Sequence, residues 1–189
     1  RKKKENDLQR KPMPRWLKLM KKIGVKEEEP LRVRIFTDGA CSENPGPGGW
    51  AAVFNTVSKC STISGNEKMT TNNRMELKAV IEAFKKVLSK NLSDAEYELY
   101  SDSAYVVNSI NNGWIDKWQQ NNWKTTKNDD VKNRDLWEEL AFLRNKTKSL
   151  GIYIKIIKIK GHAGNTFNEL VDKLAKEESL KAKEGVDYD

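Results

Sequence analysis

Two short apolar runs in this chain end on an aspartate, Asp38 in IFTDGACSENPGPGGWA and Asp102 in LYSDSAYVV. Two further acids, Glu76 in TTNNRMELKAV and Asp172 in GHAGNTFNELVDKLA, lie inside helical patterns. That arrangement lets all four converge at one end of a single sheet, where α/β folds place their ligands. Gathered carboxylates repel one another unless a cation neutralises them. Hard oxygen donors of this kind suit Mg²⁺ or Mn²⁺ better than zinc or copper. A paired-metal site for phosphoryl chemistry, with ions about 3.5–4 Å apart, needs such a cluster.

A chain of 189 residues holds one ordinary domain with an appendage and can bury a substantial core. No apolar run is long enough to cross a bilayer, and nothing at the start reads as the apolar region of a signal peptide. The two cysteines, Cys41 and Cys60, match neither a metal spacing nor a disulfide framework, so a reduced, cytoplasmic setting is expected. The formal charge of +8 suggests nucleic acid, but its placement matters: residues 1–31 hold eleven Lys/Arg and five Asp/Glu, and the remainder 24 and 22. The body is almost neutral, so an anionic partner must be met by a local patch.

Residues 1–30 read as a basic extension and linker, in which Trp16, Met20 and Ile23 fall at helical spacing with Gly24 as a stop. A solvated basic linker is the first reading and a binding arm the second. From Leu31 the pattern turns α/β. Leu31, Val33 and Ile35 alternate with Arg32 and Arg34, a strand with one buried face. NPGPGG is a turn, and GWAAVFNTVSKCSTISG supplies two more strands as a hairpin. Asn72 opens a helix whose Glu76, Val80, Ala83 and Val87 share a face. AEYELYSD is a strand, SAYVVNSINNG a helix ended by Asn-Gly, and WIDKWQQNNWKTTKNDD a short helix and loop. Leu136, Leu140 and Leu143 mark another helix, IYIKIIKI a fifth strand whose phase slips at Ile156-Ile157, and Phe167, Leu170, Val171 and Leu174 a last helix.

TDGACSENPGPGG, TTNNRMEL, the Ser-Asp-Ser after a strand, and His162 ten residues before Asp172 occur here in order and in register. On these motifs the chain resembles the type 1 ribonuclease H family, from about Leu31 to about Lys181. The resemblance implies a ribonuclease H-like fold, a five-stranded mixed sheet flanked by helices, in a domain at 31–183 with a short tail at 184–189. It also implies an endonuclease that cuts the RNA strand of RNA·DNA hybrids, leaving 5′-phosphate and 3′-hydroxyl ends. Two Mg²⁺ ions are the implied cofactors, with Mn²⁺ as a possible substitute. The expected duties are clearing primers, transcription-associated hybrids and stray ribonucleotide stretches, by a monomer. Alternatives are the nuclease domain of a larger fused protein such as a reverse transcriptase, a transposase- or integrase-like strand-transfer enzyme, and a non-catalytic hybrid-binding module. The last predicts loss of a carboxylate, and all four are present.

Each acid also has a plain structural reading. Glu76 serves as a helix-start charge aided by the dipole, Asp102 as an N-cap, and Asp172 as an i,i+4 partner of Lys176. By resemblance, Asp38 bridges both metals, Glu76 and Asp102 hold the ion near the leaving group, and Asp172 helps the ion that activates water. His162, the only histidine, is an accessory for proton transfer or product departure. The backbones of Gly39 and Cys41 and the side chains of Asn44 and Asn72 face RNA ribose hydroxyls, the group that tells RNA from DNA. Thr71 matches the position that grips a DNA phosphate.

Two departures stand out. Ala104 occupies a place where the family often has Gln, and QQNN at 119–122 replaces a basic run. Of the tryptophans around this protrusion, Trp114 and Trp137 are expected in its core, and Trp118 and Trp123, with Lys124 beside them, at the substrate.

Overall fold

The computed structural model describes Lys22, residues 30–161 and residues 164–185. The helical reading at Trp16–Ile23 and the histidine His162 lie outside the described residues. Five strands form one sheet: β1 (Arg32–Cys41), β2 (Gly46–Asn55), β3 (Cys60–Thr70), β4 (Glu96–Ser101) and β5 (Ile154–Lys158). Their order is β3-β2-β1-β4-β5. β1 runs antiparallel to β2 and parallel to β4, and β4 runs parallel to β5, so the sheet is mixed. Among residues 30–185 that are described, five helices accompany the sheet: α1 (Asn72–Lys90), α2 (Ala104–Asn111), α3 (Trp114–Gln120), α4 (Arg134–Ser149) and α5 (Thr166–Glu184).

The sheet is covered on both faces, and the strand period of two sorts its side chains between two cores. Ile35, Ala52 and Phe54 point to the side of α1 and α4, where Leu77, Ile81 and Leu140 fill the larger core. Phe36, Ala51 and Val53 point the other way, onto Val171 and Ala175 of α5. This explains a change of pattern inside β1. Arg32 and Arg34 lie at its exposed start, whereas Ile35 to Gly39 are continuously buried because helices cover both faces there. Phe36 stacks on Tyr100 at 4.9 Å and on Phe167 at 5.3 Å, joining β1, β4 and α5 in one aromatic row.

Boundary residues follow local chemistry. Thr71 caps α1 by accepting from the Arg74 amide, and Asn91 ends it in the left-handed region at φ 47°. The fifth strand is shorter than IYIKIIKI suggests. Ile152 is buried, and its amide donates to the Thr147 carbonyl at 2.9 Å, so it belongs to the end of α4. Tyr153 is exposed, and pairing with β4 starts only at Ile154. Ile156 and Ile157 are both half-buried, which is the expected phase slip.

α5 is seated by contact and by charge. A Cβ on Gly49 would collide with the Ala175 carbonyl oxygen and lie 2.5 Å from the Ser179 nitrogen. The helix therefore rests directly on β2 backbone. Glu178, buried on the same face, accepts from Ser64 Oγ at 3.0 Å, Asn66 Nδ2 at 2.8 Å and Lys181 Nζ at 2.8 Å. A buried carboxylate answered by three donors is held rather than penalised. Gly49→Ala should destabilise the fold by about 1–3 kcal/mol through overpacking. The urea midpoint measures this, and an unmoved midpoint would mean that α5 does not rest on β2 as described.

Candidate metal centre at the carboxyl ends of the central strands

β1 and β4 lie side by side with Thr37 opposite Ser101, so the next residue on each strand, Asp38 and Asp102, leaves the sheet at the same level. Glu76 comes from the second turn of α1, on the stripe that faces β1. The crossing is exceptionally close. A Cβ on Gly39 would collide with the Glu76 nitrogen and the Met75 carbonyl carbon, so only glycine lets α1 approach. Carboxylate oxygens of Asp38, Glu76 and Asp102 thereby lie within 4.8 Å of one another.

The plain readings of Glu76 and Asp102 do not hold in the structure. Ser103, not Asp102, caps α2, its hydroxyl accepting from the Val106 amide at 3.3 Å. Asp102 is thus free to face the other acids. Glu76 lies past the first turn of its helix, and its Oε2 is buried with no hydrogen-bond partner among the described residues. Such an atom is costly unless something outside the protein satisfies it.

Electrostatics report the same crowding. Burial, first, and then the Asp102 charge raise the Asp38 carboxyl from 3.8 to about 7, against the pull of the Gly39 amide 2.9 Å from its Oδ1. Burial and the Asp38 charge push Glu76 well above the usual carboxylate range. The donor set, three hard oxygens with one left unsatisfied, fits Mg²⁺ or Mn²⁺.

Asp172 is not part of that trio. Its charge contributes to the raised Asp38, so it stands nearby, but its Oδ2 is 2.7 Å from Lys176 Nζ. The i,i+4 pairing expected on helical grounds is therefore present. Two residues escaped the sequence reading. Asn168, one turn before Asp172 on α5, is buried with no partner for its Oδ1 among the described residues, and an Asn on the same helical stripe as Val171 and Ala175 was its signal. Gly161 backs Asp102: a Cβ there would lie 2.8 Å from Asp102 Oδ2.

Among the expected substrate contacts, Gly39 is buried against α1, and its amide points to Asp38 rather than outward. Cys41 Sγ donates to the Glu43 carbonyl at 2.6 Å and closes the turn. Asn44 is exposed, and its Oδ1 accepts from the Asn72 amide at 3.3 Å, bringing the turn to the start of α1. Thr71 Oγ1 is engaged as the cap of that helix.

The tryptophans are sorted differently from expectation. Trp137 is fully buried as foreseen, its Nε1 donating to Tyr105 Oη at 2.9 Å. Trp114, expected in the core, is 40% exposed, whereas Trp123, expected at the substrate, is 8% exposed. For Trp123 the reason is the QQNN turn. Asn122 and Trp123 adopt left-handed φ of 51° and 59°, which folds Trp123 back so that its amide donates to the Trp118 carbonyl at 2.7 Å. Trp118 is half-buried, edge-on to Trp137 at 5.5 Å. Lys124 is paired with Asp130 at 2.7 Å. Trp114, Lys117, Trp118 and Lys124 line one surface groove.

The RNase H family profile matches residues 30–180. A ribonuclease H of Thermoanaerobacter sp. (strain X514) is 50% identical over 146 residues, covering 77% of this chain and 88% of that protein. Two solved structures superpose well. LC9-RNase H1, a type 1 RNase H with the type 2 active-site motif, has 27% identity and a TM-score of 0.68, covering 83% of this chain and 76% of that one. LC11-RNase H1, in complex with RNA/DNA hybrid, has 25% identity and a TM-score of 0.58, covering 80% and 99%.

With divalent ions removed, the acidic trio sets a pH dependence. A carboxyl raised in the folded state favours folding while protonated. That stability is fully present below pH 3.8 and is lost as pH rises through about 7. Asp38→Asn removes the charge, so its stability advantage over the parent should grow between those values, to at most about 4 kcal/mol. Thermal unfolding in chelator-treated buffers measures this, and a difference independent of pH would refute the buried cluster.

Proposed function

Because the chain belongs to the ribonuclease H family, we propose that it is an endonuclease that hydrolyses the RNA strand of RNA·DNA hybrids, leaving 5′-phosphate and 3′-hydroxyl ends. The observation that supports the reading best is the Asp38–Glu76–Asp102 trio with its orphaned Glu76 oxygen. Those three residues would hold two Mg²⁺, or Mn²⁺ in their place, with Asp172 joining from α5. Bound divalent ions neutralise charge on the scissile phosphate and acidify the attacking water.

The protein's own contribution is placement. Ionised Asp38, Glu76 and Asp102 supply the negative charge that draws the ions, and burial excludes competing water from two of the three. His162 moves a proton or eases product departure as an accessory. On the substrate side, Asn44 and Asn72 offer amide donors and acceptors to ribose hydroxyls, and the start of α1 at Thr71 suits a DNA phosphate. The groove at Trp114, Trp118 and Lys124 offers aromatic faces and charge to the strand beyond. Residues 1–30 serve as a solvated linker, the chain acts as a monomer, and the setting is cytoplasmic. No helix among the described residues is long and apolar enough to cross a membrane.

A labelled RNA·DNA hybrid should be cut in Mg²⁺ and left intact in chelator, with duplex DNA and duplex RNA uncut in both. Cleavage of duplex DNA, or of the hybrid without divalent ions, would overturn the assignment. Asp38→Asn should lower kcat about 10³-fold or more, equivalent to ~4 kcal/mol. His162→Ala should cost about a hundredfold. Equal losses from the two variants would make the histidine a principal catalyst. Removal of residues 1–30 should leave the Michaelis constant and its salt slope unchanged, and a raised constant with a shallower slope would make them a binding arm.

A further inference from the structure

β5 ends on Lys158, which lies directly opposite Ser101, the residue before Asp102 on the neighbouring strand. Its ammonium donates to the backbone carbonyl of Asp102 at 2.7 Å and to that of Ile159 at 3.3 Å. Pairing continues past the strand, the Ile159 amide donating to the Ser101 carbonyl at 3.0 Å. The lysine is thereby tethered at the mouth of the acidic trio, within one residue of a carboxylate that belongs to it.

Both of its acceptors are neutral. Lys176 is paired with Asp172 and Lys124 with Asp130, whereas Lys158 forms no ion pair among the described residues. An ammonium has three donors, and two are used here. What remains is a full positive charge with one N–H to give, exposed and held by backbone rather than swinging on a free stem. A cation fixed in this way at the rim of a site for a phosphodiester has already lost much of the side-chain entropy that binding an anion would otherwise cost.

We propose that Lys158 is a substrate-binding residue that contacts the RNA backbone phosphate adjacent to the scissile one. This rests on the hybrid-nuclease reading above. The contact is with phosphate and not with a base, so it strengthens binding without sequence preference. It also supplies, at a different place in the fold, a positive charge of the kind that the QQNN stretch at 119–122 lacks. The competing reading is that Lys158 only ties two strand ends together and fixes Asp102.

Steady-state cleavage of a short hybrid by the parent, Lys158→Gln and Lys158→Arg decides between them, with thermal unfolding alongside. If the parent does not cut the hybrid, the underlying reading fails, independently of Lys158. If it does, Lys158→Gln should raise KM about tenfold, reduce the log KM against log salt slope by about 0.7–0.9, and leave kcat near the parent's. Lys158→Arg should restore KM. Unchanged KM and slope overturn the proposal, as do lowered kcat and weakened Mg²⁺ binding by calorimetry in the absence of substrate. Methylphosphonate substitution of single RNA phosphates keeps the test open should the Gln variant unfold. With the parent, neutralising the phosphate beside the scissile bond should raise KM as Lys158→Gln does, and no effect at that phosphate overturns the contact. With a folded Gln variant the same substitution should add nothing, and independent, multiplying losses also overturn it.

Discussion

Like-charge crowding in a dry place is the constraint around which this molecule is organised. Asp38 and Glu76 are buried almost completely, and Asp102 stands against them with oxygens within 4.8 Å. Among the described residues none supplies the missing positive charge to the two buried acids. The Gly39 amide gives one hydrogen bond to Asp38, and Glu76 Oε2 receives none among the described residues. A fold that evolved for stability alone would replace such groups by apolar ones of similar volume. Keeping them raises both carboxyls and costs stability at neutral pH, a cost that a metal ion held by the trio would offset.

That crowding in turn depends on backbone geometry. α1 presses on β1 so closely that Gly39 has no room for a side chain, and this approach carries Glu76 to Asp38. On the opposite face α5 presses on Gly49 in the same manner and is held by Glu178. The central strands are thus clamped from both sides at glycines. The more exposed acids are treated differently from the buried pair. Asp172 is neutralised by Lys176, and Asp102 has a lysine on its backbone carbonyl rather than on its carboxylate. Charge is compensated at the rim and withheld at the centre.

The tryptophans show where one-dimensional reasoning stops. Trp123, with lysines around it, was expected at the substrate and Trp114 in the protrusion's core. Two successive left-handed residues at 122 and 123 reverse the chain and bury Trp123, while Trp114 is exposed. Asn122 suits the left-handed region but Trp123 does not, so the sequence signals only half of the reversal, which is held by the bonds of Trp123 to Trp118 and Val131. Gly39 is a second case. Its backbone was expected against a ribose, but the atoms that leave it no room for a side chain are helix backbone.

The strands, apart from the start of β5, and the described helices with their amphipathic faces were decided by local pattern. Periodicity of two or 3.6 and turn chemistry are properties of neighbouring residues, and they survive in one dimension. Which acids meet was decided in three. Asp38, Glu76 and Asp102 are brought together by a parallel strand pair and one close helix crossing, while Asp172 remains beside them on a salt bridge. The tether of Lys158, and the oxygens of Glu76 and Asn168 left without a partner among the described residues, are likewise tertiary. Each depends on distances between segments far apart in the chain, and such distances exist only once the sheet has closed on its helices.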